Sequence, residues 1–321
     1  MRFTHTAEQA DFARTLESLL SGADTVTAAR AWAAGDHAPG LALWSKLADT
    51  GVTALLVPER ADGLAASPVE LVIAMEAIGR HCVPGPWVET LAFLTPLLSS
   101  VGSADDTLAE VAAGEVLLTV AAGPHVPHAL DADVASAFRL LDSRTLHTAR
   151  VGAALSSIDT TRRLFTVVPD REIAEVPTDA VLAAFDLAVL ANAAQLLGAG
   201  ERVLADSVAY VKQRKQFGRE IGSYQAIKHQ LADVRIALDF ARPLIDGAAL
   251  TPGTIDVSAA RIAAADAAHL AARVGLQVHG AIGYTAEFDL SLWILKIRAL
   301  VAAWGTQSFH RARVLQALGA A

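Results

Sequence analysis

Two loops carry side chains that suit the binding of a phosphate-bearing ligand. In residues 213–219, Arg214 offers a planar fork that pairs with phosphate oxygens, and Gly218 lets a ligand approach the backbone. In residues 277–284, the backbone around Gly280 could cradle a diphosphate. Taken singly, neither loop is specific. The first also fits a basic, solvated helix C-terminus, and the second also fits an ordinary glycine cap at a helix C-terminus.

Taken together and in this order, the two loops resemble the acyl-CoA dehydrogenase family. The C-terminal domain of that family carries Arg-x-x-Phe-Gly, then a Gln on the next helix, then Gln-x-x-Gly-Gly-x-Gly. The resemblance is strong over about residues 180–320, loose over residues 1–114 and poor between them. The matching residues here are Arg214, Phe217, Gly218, Gln225, Gln277, Gly280 and Gly283, with Ala281 at the second glycine of the triplet.

This resemblance implies that the cofactor is FAD. In the family, the Arg, the two Gln and the Gly-rich turn reach across a dimer interface to the ADP half of the FAD that the neighbouring subunit holds. A further residue, Thr306, matches a Thr that contacts the cofactor elsewhere in the family. The residues expected to bind FAD are Arg214, Phe217, Gln225, Gln277, Gly280, Ala281 and Thr306.

The base that the family's reaction needs is missing from both of its usual positions. The reaction removes the α-proton of an acyl-CoA thioester while a β-hydrogen leaves as hydride to the flavin, so a carboxylate must face the substrate. Most members place a Glu directly before Gly-Thr near the end of the bundle, where this chain has Trp304. Other members carry the Glu on the first bundle helix, where this chain has Ala188. We therefore expect no catalytic residue of the usual kind in this chain.

Other acids are weaker candidates for the base. Asp186 is two residues from Ala188, which turns it away by about 200° on a helix. Glu201 could act as a base, but its place on an apolar stripe favours a buried, paired structural acid. Asp266 and His269 form an i, i+3 pair without an evident third or fourth ligand, so we interpret the pair as structural and expect no metal site.

The middle of the chain also lacks the family's signature segments, namely Thr-Glu-Pro, Gly-Ser-Asp and a Lys-x-Trp-x-Thr strand. The chain thus resembles the short subunit of a heteromeric, α2β2-type acyl-CoA dehydrogenase of the kind familiar from actinobacteria. A longer partner would hold the acyl-CoA, the flavin ring and the Glu, and a steroid-derived CoA ester is one candidate substrate. Two alternatives remain open: a self-sufficient homomeric dehydrogenase with an atypical base such as Glu201 or Asp186, and a structural scaffold.

Long helices must position the two loops. Apolar residues recur at spacings of four and three over residues 190–211 and 227–245, which is typical of helices that pack by one face. Pro252 and Gly253 break the chain before a third helix that Asp256 could cap, and a fourth covers about residues 289–318 with an interruption near Gly305. We therefore predict a mainly α, acyl-CoA dehydrogenase-like fold: an N-terminal helical domain (1–114), a reduced β-rich middle region (115–177) and a C-terminal four-helix bundle (178–321).

Composition and charge narrow the class of protein. The chain has 67 alanines and only 6% aromatic residues, which favours closely packed helices, and its net charge of −8 argues against binding nucleic acid. Residues 180–200 are apolar enough to imitate a membrane span, but Asp186 near their centre favours a helix buried in a bundle, so we expect no membrane association. The lone Cys82 and the lack of an apolar leader indicate the cytoplasm.

Overall fold

The computed structural model describes residues 3–102 and 104–319, which form eleven α-helices and one five-stranded sheet. The predicted mainly α fold class is confirmed, with a helical layer first, the small sheet in the middle and long bundle helices last. The helices of the first layer are α1 (Ala7–Ser21), α2 (Thr25–Ala33), α3 (Ala38–Ala48), α4 (Pro68–Arg80), a π-helical turn (Val88–Leu94), α5 (Thr95–Val101) and α6 (Asp105–Ala112).

Local sequence signals fix several helix starts in this layer. The Thr6 side chain accepts a hydrogen bond from Gln9 N, and the Gln9 side chain accepts one from Thr6 N, so a capping box begins α1. Ser67 caps α4, with Pro68 in its first turn. Pro39 lies in the first turn of α3, where a helix tolerates proline because the N–H groups there have no intrahelical partner.

The layer's core contains a stacked indole pair. The rings of Trp44 and Trp87 lie 4.0 Å apart at 26°, and both side chains are buried. Trp44 Nε1 donates to the carbonyl of Gly114, and Trp87 Nε1 donates to that of Pro84, so neither buried N–H is left unpaired.

The sheet consists of β1 (Leu118–Ala122), β2 (Ala129–Leu130), β3 (Ala137–Asp142), β4 (Thr145–Leu155) and β5 (Leu164–Glu175), in the order β1-β3-β4-β5-β2. Only β1 and β3 pair in parallel, with Leu118 opposite Ala137, and the other pairs are antiparallel. The apolar runs at residues 116–121 and 164–168 lie largely on β1 and β5. The division of the chain into domains at 114/115 and 177/178 stays a prediction.

The bundle consists of α7 (Thr178–Gln213), α8 (Gln225–Leu250), α9 (Thr254–His279) and a fourth helix that is split into α10 (Leu290–Leu300) and α11 (Gln307–Gly319). The split lies at Trp304 and Gly305, whose φ values of 56° and 99° are left-handed and end a helix. The buried Arg261 of α9 donates Nη2 hydrogen bonds to the carbonyls of Leu300, Val301 and Ala303 at this interruption, where regular helical hydrogen bonding ends. Asp256, the predicted cap of α9, instead lies in its first turn, because the helix begins at Thr254, two residues before Asp256.

Glycines set the distance between α4 and α7. A Cβ on Gly79 would lie 2.1 Å from the carbonyl oxygen of Gln195, and a Cβ on Gly198 would lie 2.0 Å from that of Glu76. The two backbones therefore touch at two points without side chains between them. Helix α7 has the length and composition of a membrane span, yet 67% of its most apolar window is buried inside the protein, as expected for a bundle helix.

Candidate functional site

The C-terminal ends of α7 and α9 meet at a cavity of about 420 Å³, which we call the helix-end cavity. Four of the seven expected cofactor residues line it: Arg214, Gln277, Gly280 and Ala281. Arg214 and Gln277, which lie 63 residues apart in sequence, thus contribute to one concave, partly polar surface. Such a surface with a few converging polar groups is what small-molecule sites are made of.

Arg214 brings the positive charge to this cavity. It directly follows α7 in extended backbone, and its N–H bonds to the carbonyl of Tyr210. Its side chain is exposed, and no carboxylate of the described residues lies within ion-pair distance. The guanidinium therefore keeps all of its N–H donors for a ligand, in the planar arrangement that suits phosphate.

A short β-hairpin with a two-residue turn projects from the end of α7. Its strands are β6 (Lys215–Gln216) and β7 (Arg219–Glu220), and the turn residues Phe217 and Gly218 have φ values of 51° and 80°. Two left-handed turn residues are usual in tight hairpins, although phenylalanine is strained there. The Phe217 ring is 90% exposed, so the hairpin holds a large apolar side chain out in water.

In the second loop, the backbone conformation requires glycine at position 280 but not at position 281. Gly280 ends α9 with φ 65° and ψ −140°, a conformation that side-chain-bearing residues rarely adopt, and the space around its missing Cβ is open. Ala281 lies in the 3-10 turn Gly280–Tyr284 with a negative φ, so the alanine at this motif position needs no special backbone.

Two aromatic residues on the cavity wall were not singled out from the sequence. The rings of Tyr210 and His279 lie 4.2 Å apart, and His279 Nδ1 is 2.7 Å from the carbonyl oxygen of Gly275. Since that carbonyl can only accept, Nδ1 carries the proton and donates to it. His279 directly precedes Gly280, but its meeting with Tyr210 depends on how α7 packs against α9, which no local pattern encodes.

The remaining expected cofactor residues lie outside the lining of the helix-end cavity. Phe217 stands at the hairpin tip, and Gln225 is the exposed first residue of α8. Thr306 precedes α11, where its Oγ1 accepts a hydrogen bond from Phe309 N at 3.2 Å. Their roles stay predictions, as do those of the four cavity residues.

Neither of the two residues expected at the base positions, Trp304 and Ala188, offers a proton acceptor. Trp304 is 1% exposed, and its ring centroid lies 5.1 Å from that of Phe93. Ala188 is fully buried within α7. An indole nitrogen is a donor only, so the side chain that fills the first position cannot take a proton from carbon.

The two alternative acids are both held in ion pairs. Arg235 donates to both oxygens of Glu201, at 2.7 and 2.6 Å, as expected for a paired structural acid. Burial raises the pKa of Glu201, but the hydrogen bonds and charge of Arg235 outweigh it, so the pKa lies below its ordinary value. Asp186 accepts from Arg313 at 2.6 Å and from Thr254 at 2.8 Å. Both carboxylates are engaged and unsuited to general-base work.

The acid–histidine pair on α9 has a structural environment too. Asp266 accepts a hydrogen bond from Gln307 at 2.7 Å and lies 3.4 Å from Arg311, which ties α9 to α11. Within residues 3–102 and 104–319, no cluster of three or more His, Cys, Asp or Glu side chains could hold a metal ion.

Comparisons with known proteins cover nearly the whole chain. Family models for the acyl-CoA dehydrogenase N-terminal domain and C-terminal domain match residues 6–115 and 178–319. The acyl-CoA dehydrogenase IpdE2 of Mycobacterium tuberculosis (strain ATCC 25618 / H37Rv) is 31% identical over 282 residues, or 87% of each chain. The fold matches the ChsE4-ChsE5 complex from Mycobacterium tuberculosis (TM-score 0.85, 23% identity, 100% of each chain) and a Tcur3481-Tcur3483 steroid ACAD variant (0.86, 21%, 98% of each chain).

Proposed function

The chain belongs to the acyl-CoA dehydrogenase family, and we propose that it is the short, non-catalytic subunit of a heteromeric FAD-dependent enzyme that desaturates an acyl-CoA thioester. One observation carries the proposal: Arg214, Gln277 and Gly280 converge on an open cavity, while both base positions hold side chains that cannot accept a proton. A subunit built in this way can bind cofactor but cannot begin the reaction.

The helix-end cavity fits the phosphate-bearing half of FAD. Arg214 supplies an unpaired guanidinium for the diphosphate, Gln277 supplies an amide, and the open backbone at Gly280 lets a ligand approach closely. When bound, FAD supplies the hydride acceptor of the reaction. The residues of this chain hold and orient its ADP half across the subunit interface, and Gln225 and Thr306 extend that contact.

A longer acyl-CoA dehydrogenase subunit completes the site as the partner, in an α2β2 assembly. It holds most of the acyl-CoA, the flavin ring and the base, and the short chain alone is inactive. The names of the similar ChsE4-ChsE5 and Tcur3481-Tcur3483 structures each join two proteins, which supports an enzyme of two different subunits. The second is described as a steroid ACAD, which supports a steroid-derived CoA ester as the substrate. The exposed ring of Phe217 also supports a partner, because a partner's surface beside the cavity would cover it. We place the complex in the cytoplasm.

The proposal is tested by co-expressing the chain with the longer homologue encoded beside it and measuring flavin per complex and acyl-CoA oxidation. Arg214→Ala should lower flavin retention at least tenfold, because a phosphate loses a charge-assisted pair. Lys215→Ala is the matched control, since this neighbouring cation pairs with Glu220 at 3.4 Å and does not line the cavity. Unchanged flavin content in Arg214→Ala would contradict a cofactor contact.

The same preparation tests the division of labour between subunits. The short chain alone should bind little FAD and should not oxidise acyl-CoA, whereas the complex should do both. If the purified short chain alone holds one FAD per chain and turns over an acyl-CoA, it is a self-sufficient enzyme and the proposal is wrong.

A further inference from the structure

A second cavity of about 350 Å³ lies where the helical layer, the sheet region and the bundle meet, and we call it the junction cavity. Glu89 reaches it from the π-helical turn, His128 and Arg162 from loops of the sheet region, and Arg298 and Trp304 from the fourth bundle helix. None of the seven expected cofactor residues lines it. Its volume is at the lower end for ligand sites and suits a small molecule.

Two polar groups at the junction cavity, the guanidinium of Arg162 and Nδ1 of His128, have no hydrogen-bond partner among the described residues. The guanidinium of Arg162 lies 3.9 Å from Oε1 of Glu89, which is too far for a hydrogen bond, and the described residues offer it no nearer carboxylate. The two side chains are only 13% and 2% exposed. His128 Nδ1 is also buried without a hydrogen-bond partner in the described part of the chain. Buried polar groups of this kind need partners, and a ligand can provide them.

The balance of charge in the junction cavity favours an anion. Burial raises the pKa of Glu89, although the charge of Arg162 and a hydrogen bond with Trp304 act in the opposite direction. Two arginines, Arg162 and Arg298, line the same space and face this single carboxyl, whereas burial lowers the pKa of the neighbouring His125. The nearby Lys296 adds no free charge, because it pairs with Asp159 at 3.0 Å.

The rest of the wall is apolar. Its members include the side chains Leu130, Ile158, Leu164 and Ala299 and the indole of Trp304. A molecule that satisfies both parts of the wall has one anionic end for a planar guanidinium and a hydrocarbon body. We propose that the junction cavity is a binding site of this chain for a small organic carboxylate, whose carboxylate pairs with Arg162 and whose hydrocarbon body packs on Trp304 and its neighbours.

This site is separate from the cofactor role of the helix-end cavity and does not rest on it. The experiment is calorimetric titration of the full chain, alone and in its complex, with hexanoate as the probe and hexanamide as its uncharged match. Hexanoate should bind at least tenfold more tightly than hexanamide. Equal affinities, or no measurable binding of hexanoate, would overturn the proposal.

Two variants and one control test the assigned contacts. Arg162→Gln should weaken hexanoate binding at least tenfold, whereas Arg163→Gln should leave it unchanged, since Arg163 pairs with Asp133 at 2.7 Å and does not line the junction cavity. Glu89→Gln should bind hexanoate at least as tightly as the natural chain, because the amide keeps the shape of the carboxyl and cannot repel an anion. Loss of binding in Glu89→Gln, or unchanged binding in a folded Arg162→Gln, would show that the ligand is not an anion held by Arg162.

Discussion

Two single residues, Trp304 and Arg214, carry most of the proposed role of this chain. Trp304 occupies left-handed backbone, is almost fully buried and lines the junction cavity. Arg214, by contrast, keeps an unpaired guanidinium at the helix-end cavity. Under the proposed function, Arg214 attracts a charged ligand, while Trp304 cannot take a proton at a position where the resemblance implies a carboxylate.

Asp131 is a residue at which burial makes stability depend on pH. Its side chain is fully buried, Oδ1 accepts from Arg163 N at 3.1 Å, and Oδ2 has no hydrogen-bond partner among the described residues. Burial raises its pKa from 3.8 to about 7. Between these values the folded state keeps a proton that the unfolded state has released, so the free energy of unfolding falls as the pH rises.

We expect Asp131→Asn to remove this dependence, since asparagine keeps the shape and tolerates the left-handed φ of 52°. Its advantage in unfolding free energy over the natural chain should grow between pH 3.8 and about 7, by at most about 1.4 kcal/mol per pH unit, and then level off. Urea unfolding at several pH values measures both proteins. A difference that stays constant over this range would mean that Asp131 titrates normally.

At the scale of elements, close contact between helices decides which substitutions the fold accepts. Gly198→Ala should lower the free energy of unfolding by about 3 kcal/mol, because its Cβ would meet the backbone carbonyl of Glu76 at 2.0 Å and α4 would have to move away from α7. Gly247→Ala in α8 is the matched control, since its nearest atom belongs to Phe3 at an ordinary 3.6 Å. Alanine there should be neutral or stabilising by up to about 1 kcal/mol. Equal losses in the two variants would argue against the close contact.

Much of the helical architecture could be predicted because its signals are local. Thr6 and Ser67 cap helices, and apolar stripes mark the packed faces of α7 and α8. The sheet was less predictable: β4 (Thr145–Leu155) is exposed along its second half, so its residues alternate only weakly between apolar and polar. Elements that tertiary contacts stabilise have only weak local sequence patterns and are therefore hard to predict.

Some residues of the candidate site have local sequence signals, and others do not. Arg214 and Gly280 were recognisable because a fork-shaped cation and a left-handed backbone position each demand one residue type. The stack of Tyr210 on His279 was not, since it exists only through helix packing. Glu89 has one local signal, because it is the only charged residue within the mostly apolar residues 87–94. Gln225 and Thr306 stay predictions because their proposed ligand lies in another subunit.

At the scale of the whole molecule, one buried ion pair ties the sheet region to the bundle. Lys296 Nζ of α10 donates to Asp159 Oδ2 at 3.0 Å and to Thr161 Oγ1 at 2.7 Å, in the loop between β4 and β5. The side chains of Lys296 and Asp159 are 3% and 1% exposed. The same loop carries Arg162, so this pair also fixes one wall of the junction cavity.

Breaking the pair from one side should strongly destabilise the protein. Lys296→Met leaves Asp159 charged and buried, which typically costs about 3–5 kcal/mol of unfolding free energy. Adding Asp159→Asn should recover a substantial part, because the amide oxygen can still accept from Thr161 N. Denaturant unfolding of both single variants and the double variant gives the coupling energy. Additive losses would show that the two charges do not depend on each other.

The stacked pair of Trp44 and Trp87 has an optical consequence. Two indoles held 4.0 Å apart couple their electronic transitions, so the native chain should show a strong near-ultraviolet circular dichroism signal that an isolated tryptophan does not give. Because both rings lie in the first helical layer, the part of this signal that comes from their coupling reports the packing of that layer, while the buried Trp293 and Trp304 of the bundle add their own signals. It can therefore be followed during unfolding to learn whether the layer separates before the bundle, without a label and without any cofactor.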